Sequence, residues 1–320
     1  MTETQSAPPA LIEAPPAAPS RPLRVGAARI VIGVEACMLF LIAAFYAGHT
    51  SVVIPVLCVV GAGFLAYGTV RMGRDPAVAP VQPVGADGFR RVPWDWTDFL
   101  LFWPGAFTAS TMLVSLFVPL GDQFTKDVDS TVRNAVESFI AQAAFYAGAL
   151  FNIYVLAFLR RGGNLFDLGW RRFSWWWAPI AIATAWVTVV GAEYLQVFSQ
   201  RLFPSAQNTQ CVAVQHEYGH FLALAVIVVC VIAPLSEETI FRGFVFGWLH
   251  RWSPAGVAVP VSAAIFAALH GVLLLFIPLF AVGCVLAVVF HFSKSLVPGA
   301  LVHALFNLPG IIAILYAASC

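Results

Sequence analysis

Two adjacent carboxylates, Glu237 and Glu238, stand in an apolar run long enough to cross a membrane, and Arg242 follows four residues later. Residues 221–235 lead in without a charge, and residues 239–249 lead out with Arg242 as their only one. An ionised side chain at bilayer depth costs about 2.5–3.5 kcal/mol. The pair is therefore either offset by partners or retained for what it does. Three more polar side chains interrupt the later apolar spans: His270, ending Phe266-Ala-Ala-Leu-His270, and His303 with Asn307 in His303-Ala-Leu-Phe-Asn307. A carboxylate able to take a proton, with His and Asn to hold developing charge, is the set that a proton-transfer site needs.

Spacing sorts these residues into roles. Glu238 and Arg242 are i,i+4 with the acid first, so they share a helix face and can form a structural ion pair. Glu237 is turned about 100° away and is left facing a cavity. Pro234 has no N–H, so it frees a backbone carbonyl and kinks the helix just before the carboxylates. His303 and Asn307, again i,i+4, present one polar face. The remaining special residues read more plainly: His250 and His291 as hydrogen-bonded core histidines, and Gly243, Gly247 and Gly271 as helix-packing sites.

The elements that must position this set are membrane helices. The chain has 320 residues, 60% hydrophobic and 10% charged, with a mean hydropathy of +0.84. Soluble domains carry about 25% charged residues. Continuous rather than alternating apolar runs exclude a β-barrel. The expected fold is all-α, a polytopic bundle of about nine transmembrane helices around a conical cavity. The spans are predicted at 27–48, 51–71, 97–119, 134–159, 175–197, 219–250, 254–271, 272–292 and 296–318. Residues 1–23, rich in Pro and Ala, are predicted to be a disordered tail. Residues 24–72 form a hairpin of two spans, 73–96 a Pro/Gly-rich linker, and 97–320 a seven-span core. Basic residues cluster after alternate spans, at Arg71, Arg74, Arg90, Arg91, Arg160, Arg161, Arg171, Arg172, Arg251 and Lys294. The positive-inside rule then sets the N-terminus in the cytoplasm and the C-terminus outside a cell membrane. At 1.5 Å per residue, Glu237 lies ~21 Å, His270 ~24 Å, His303 ~12 Å and Asn307 ~18 Å from the cytoplasmic edge, so three helices bring polar groups to overlapping depth.

Two other features compete for attention. The six cysteines show no CxxC spacing and read as small buried hydrophobes; Cys211 falls in an outer loop. His216-Glu217-Tyr-Gly-His220 matches the H-E-x-x-H zinc-protease pattern. It sits at the outer end of the sixth span, ~25–30 Å along the helix from Glu237, and no later span offers an aspartate as third ligand.

Glu237-Glu238-x-x-x-Arg242, Phe266-x-x-x-His270 and His303-x-x-x-Asn307, in that order on successive spans, resemble the CPBP family of intramembrane proteases. That family comprises the CAAX proteases and bacteriocin-processing enzymes. The likeness covers about residues 210–318, and Phe166-Asp-Leu-Gly-Trp170 also looks like the family. The resemblance implies peptide-bond hydrolysis within the membrane, with Glu237 as general base and His270 holding the water. His303 and Asn307 would be oxyanion donors. It implies a membrane-anchored or lipidated peptide as substrate, the bilayer as partner, and no nucleic acid. No cofactor is expected; zinc held by Glu237, His270 and His303 is the alternative. Competing functions are a non-catalytic immunity or scaffold protein of the same family, a site-2-type zinc protease using His216, Glu217 and His220, and a proton-coupled transporter.

Overall fold

The computed structural model describes residues 21–47, 52–74, 84–85, 87–219 and 221–316. The expected tail at 1–23 and linker at 73–96 lie partly outside these residues. Eleven helices form in chain order: α1 (Arg21–Tyr46), α2 (Val53–Arg74), α3 (Trp96–Thr125), α4 (Ser130–Arg160), α5 (Leu165–Leu168), α6 (Trp177–Leu202), α7 (Thr209–Tyr218), α8 (Leu222–Trp252), α9 (Ala255–Leu269), α10 (Leu273–Ser293) and α11 (Leu296–Tyr316). Among the described residues, eight of them are long and apolar enough to cross a membrane. The sequence predicts nine spans, and the difference is α9. It has 15 residues, about 22 Å of helix against a hydrocarbon core of about 30 Å. It ends at a turn through His270 and Gly271, where Gly271 takes φ +68°.

The N-terminal hairpin packs onto the core. Ile32 and Leu39 of α1 share one buried cluster with Phe102 of α3, Leu156 of α4 and Phe244 of α8. Buried Glu35 accepts a hydrogen bond from Asn152 Nδ2 at 2.8 Å. Close helix approach comes from small residues, as expected where lipid offers no hydrophobic drive between helices. A Cβ on Gly148 of α4 would meet the Ser110 backbone nitrogen of α3 at 2.4 Å. At that contact, Ser110 Oγ donates to the Phe145 carbonyl at 2.7 Å.

One end of the bundle is tied by charge. Asp95 caps α3, accepting from Thr97 N at 2.8 Å, while Asp98 accepts from Asp95 N at 2.8 Å. The same two carboxylates take up the last turn of α4, with Arg160 to Asp98 at 2.5 Å, Arg161 to Asp98 at 2.6 Å and Arg161 to Asp95 at 2.6 Å. Burial acts to raise the Asp95 carboxyl, but Arg161, Arg160 and the capping N–H outweigh it and bring the pKa down from 3.8 to about 2. Arg251, at the end of α8, donates to the carbonyls of Val92 and Trp94 at 3.1 and 2.9 Å. The opposite end carries α7. Gln215 donates from there to the Ile314 carbonyl of α11 at 2.7 Å.

Candidate active site

α8 carries the carboxylates and is not a uniform α-helix. Residues 227–232 and 238–246 adopt wider i→i+5 hydrogen bonding. Such stretches are rare and recur at functional sites. The first has a cause in the sequence. Ala233 N–H reaches back five residues to the Val228 carbonyl. The next carbonyl in that series, Val229, would need the N–H of Pro234, which has none. Asn307 of α11 supplies the missing donor, Nδ2 to the Val229 carbonyl at 2.8 Å.

The wide turns leave the two carboxylates in different surroundings. Glu238 is fully buried. Its Oε1 lies 3.1 Å from Arg242 Nη1 and 3.2 Å from His303 Nδ1. Arg242 also donates to the Gly283 carbonyl at 3.2 Å and lies 4.6 Å from the centre of the Phe266 ring. Glu238 is therefore more than half of an ion pair, because it also orients a histidine. Glu237 is only partly covered. Its Oε1 accepts from the Tyr146 hydroxyl of α4 at 2.6 Å, and its Oε2 faces His303 Nε2 at 3.7 Å.

These contacts restrict what each ring nitrogen can do. A carboxylate only accepts, so His303 must carry its proton on Nδ1 toward Glu238. In the neutral ring Nε2 is then an acceptor, and it donates only when the ring is doubly protonated. His270 Nδ1 lies 2.8 Å from the Phe266 carbonyl, so it donates there and leaves Nε2 as an acceptor. Asn307 gives one amide hydrogen to Val229 and keeps the second.

Glu237, His270, His303 and Asn307 line a single cavity of about 540 Å³, together with Tyr146, Gln142 and Glu217. The structure thus brings the four sequence-predicted residues to one space. Glu237 and His303 face each other directly, whereas His270 stands at the cavity wall on the turn after α9. Tyr146 escapes sequence reasoning. The available signal is that Gln142 and Tyr146, i,i+4 on α4, form one polar face in an apolar span, and each binds a glutamate. Gln142 Nε2 donates to Glu217 Oε2 at 3.0 Å.

The histidine–glutamate pattern at 216–220 lies differently from the expectation. Residues 209–218 form their own helix, α7, folded over the cavity instead of extending α8. Glu217 faces the same space as Glu237. Burial raises the Glu217 carboxyl above its ordinary 4.5, against the lowering effect of the Gln142 hydrogen bond and His216. His220 lies outside the described residues. Cys211, on the cavity rim, is disulfide-bonded, which corrects the reading of all six cysteines as buried hydrophobes. Among the described residues no three His, Cys, Asp or Glu side chains are grouped closely enough to hold a metal ion.

Trp170 braces the site from outside. The segment at 165–170 turns at Gly169 with φ +102°, where a Cβ would strike Phe290 at 2.6 Å. That turn sends Trp170 Nε1 to Thr239 Oγ1 at 3.0 Å, beside Glu238.

The fold and site together define a polytopic helical membrane protein with a carboxylate–histidine cavity reaching into its core. Residues 219–309 match the family model described as Rce1-like, Type II CAAX prenyl endopeptidase. The matched segment carries every residue from Glu237 to Asn307 named above. Over that segment the chain is similar to the CAAX intramembrane proteases of the CPBP family, which suggests a peptidase. No curated protein and no solved structure matches the chain.

Proposed function

We propose that the protein is an intramembrane endopeptidase that hydrolyses a peptide bond in a membrane-anchored or lipidated polypeptide, with Glu237 activating water. One observation carries this reading. Glu237 has one carboxylate oxygen held by Tyr146 and the other directed toward His303 across a cavity. A base so placed has a fixed orientation and a free lone pair.

The chemistry follows from the remaining groups. His270, with Nε2 as acceptor, takes a hydrogen bond from one O–H of the attacking water, which the oxygen keeps, and Glu237 Oε2 removes the other proton as the oxygen attacks the carbonyl carbon. The tetrahedral oxyanion receives the second amide hydrogen of Asn307 and, when the ring is doubly protonated, His303 Nε2–H. Glu237 then passes its proton to the departing nitrogen as the C–N bond breaks. No step requires a metal ion or a cofactor. The distribution of basic residues supports a multi-pass protein of the cell membrane with its N-terminus in the cytoplasm.

The test is cleavage of a panel of membrane-anchored peptides by purified protein, wild type against Glu237→Gln, each with and without a chelator. The expected result is a loss of turnover of at least about 10²-fold in folded variant, with no response to chelator. Chelator-sensitive cleavage that survives Glu237→Gln would overturn the mechanism.

A further inference from the structure

Ser295, just before α11, and Gly299, His303 and Asn307 within it follow one another at steps of four, along a ridge that winds slowly around the helix. Three of them meet α8. Asn307 Nδ2 donates to the Val229 carbonyl at 2.8 Å, and His303 Nδ1 lies 3.2 Å from Glu238 Oε1. A Cβ on Gly299 would come within 3.0 Å of Glu238 Oε2. Ser295 bonds elsewhere. It is buried and donates from Oγ to the Arg171 carbonyl at 2.7 Å, while Leu296 N donates to the Gly169 carbonyl at 2.9 Å. The same stretch, residues 168–171, reaches α8 on its other side. Trp170 Nε1 donates to Thr239 Oγ1 at 3.0 Å, and a Cβ on Gly243 would meet the Leu168 carbonyl at 2.8 Å. Residues 168–171 therefore form a bracket between α8 and the start of α11.

On α8 the bracket holds the turn that carries both carboxylates. Trp170 occupies one lone pair of the Thr239 oxygen, and the Thr239 hydroxyl donates its own proton to the Leu235 carbonyl at 2.7 Å. Glu238 N–H is bonded to the Leu235 and Pro234 carbonyls. Glu237 and Glu238 lie between the two ends of this short loop of bonds. Hydrogen bonds in a chain polarise one another, so losing the Trp170 N–H weakens the bond from Thr239 to Leu235 as well. Glu237 Oε2 and His303 Nε2, 3.7 Å apart, stand on the two helices that the bracket joins. A misplacement of about 1 Å at reacting groups is enough to slow catalysis severely.

We propose that Trp170 is a positioning residue of this site. Through Thr239 it fixes the α8 turn bearing Glu237 and Glu238, and through the Gly169 and Arg171 carbonyls its segment fixes α11, so that His303 meets both carboxylates. Trp170 itself touches neither the reacting atoms nor the general base. The inference deepens the peptidase reading and rests on it for the kinetics below.

The experiment uses the purified full chain and the panel of membrane-anchored peptides. Trp170→Phe keeps an aromatic ring and removes the N–H; Thr239→Val removes the hydroxyl and keeps the shape; Thr239→Ser keeps the hydroxyl. The expected result is a kcat about tenfold below wild type in Trp170→Phe and in Thr239→Val, at unchanged KM. Thr239→Ser should cleave near the wild-type rate, and the double variant Trp170→Phe with Thr239→Val should be no slower than Thr239→Val alone. Without substrate, the nitrogen NMR signals of His303 should show one Nδ1–H tautomer in wild type and a mixture of tautomers in Trp170→Phe. Unchanged kcat in Trp170→Phe with a wild-type His303 spectrum overturns the inference. So does a rise in KM alone, or a double variant slowed by the product of the two single effects. A wild type without Glu237-dependent cleavage, whose His303 signals still respond to Trp170→Phe, overturns the peptidase reading and leaves the positioning role standing.

Discussion

Glu238 serves two partners, and a pair of substitutions separates what it does for each. Glu238 and Arg242 are 0% and 1% exposed. At their 3.1 Å separation an effective dielectric near 20 gives an attraction of about 5 kcal/mol. Removing one member strands the other, which costs about 3–5 kcal/mol. Glu238→Gln should therefore lower stability by that amount. Its amide oxygen can still accept from His303 Nδ1, so part of the activity should survive. The double variant Glu238→Leu with Arg242→Met removes both charges and keeps apolar volume. It should recover most of the loss, short of the roughly 1–3 kcal/mol left by the His303 Nδ1–H that has lost its acceptor. Activity should not recover with it, because His303 Nδ1–H no longer has an acceptor and the ring loses its tautomer and orientation. Thermal unfolding in detergent micelles reads the first effect; cleavage rate per folded molecule reads the second, as a fall of about a hundredfold. A double variant as unstable as Glu238→Gln would refute the ion-pair reasoning. One that cleaves like wild type would refute the role assigned to Glu238 in orienting His303.

Two further outcomes follow from neighbouring contacts. Tyr146→Phe removes only the hydroxyl that holds Glu237 Oε1, so kcat should fall about tenfold while KM stays unchanged; a rise in KM alone would assign Tyr146 to substrate binding. Asp95, with its folded pKa depressed to about 2 from 3.8, contributes stability that is fully present above its unfolded pKa and is lost as pH falls through the folded value. The Tm difference between wild type and Asp95→Asn should accordingly close as the pH is lowered from about 4 to about 2; a constant difference over that range would show that Arg161 and Arg160 do not act through its charge.

What could be read from the sequence and what could not divide along physical lines. Long continuous apolar runs declare membrane helices, because only helices and closed barrels satisfy backbone groups in hydrocarbon and barrel strands alternate, and the described residues hold eight such helices. α9 is shorter than the apolar run that contains it, because hydropathy does not register where a helix stops. The stop depends on the left-handed backbone at Gly271, in the middle of an apolar stretch. α7 was invisible for the opposite reason: it is a polar helix capped by Asn208, whose side chain accepts from Cys211 N at 3.2 Å, and it carries no hydropathy signal. Within the site, i,i+4 geometry identified the Glu238–Arg242 pair, since that contact is local. The bonds from Tyr146 to Glu237 and from Asn152 to Glu35 join residues 91 and 117 positions apart. No local pattern encodes them.

Asn307 illustrates how a backbone need and a chemical role can fall on one side chain. Pro234 deprives the Val229 carbonyl of its i+5 donor, and Asn307 replaces that donor from another helix. A buried carbonyl left unpaired costs about 1–3 kcal/mol, so Asn307→Ala should destabilise the protein by that much. Pro234→Ala provides an N–H in the position that the wide turn already presents. In that background Asn307→Ala should cost distinctly less, a coupling of about 0.5–3 kcal/mol in a double-mutant cycle read by thermal unfolding. The cleavage rate should behave otherwise. If the second amide hydrogen of Asn307 serves the oxyanion, the rate lost in Asn307→Ala stays lost when Pro234→Ala restores stability. Additive stabilities would break the link between the proline and the asparagine. Recovery of rate together with stability would reduce Asn307 to a backbone brace and leave the oxyanion to His303.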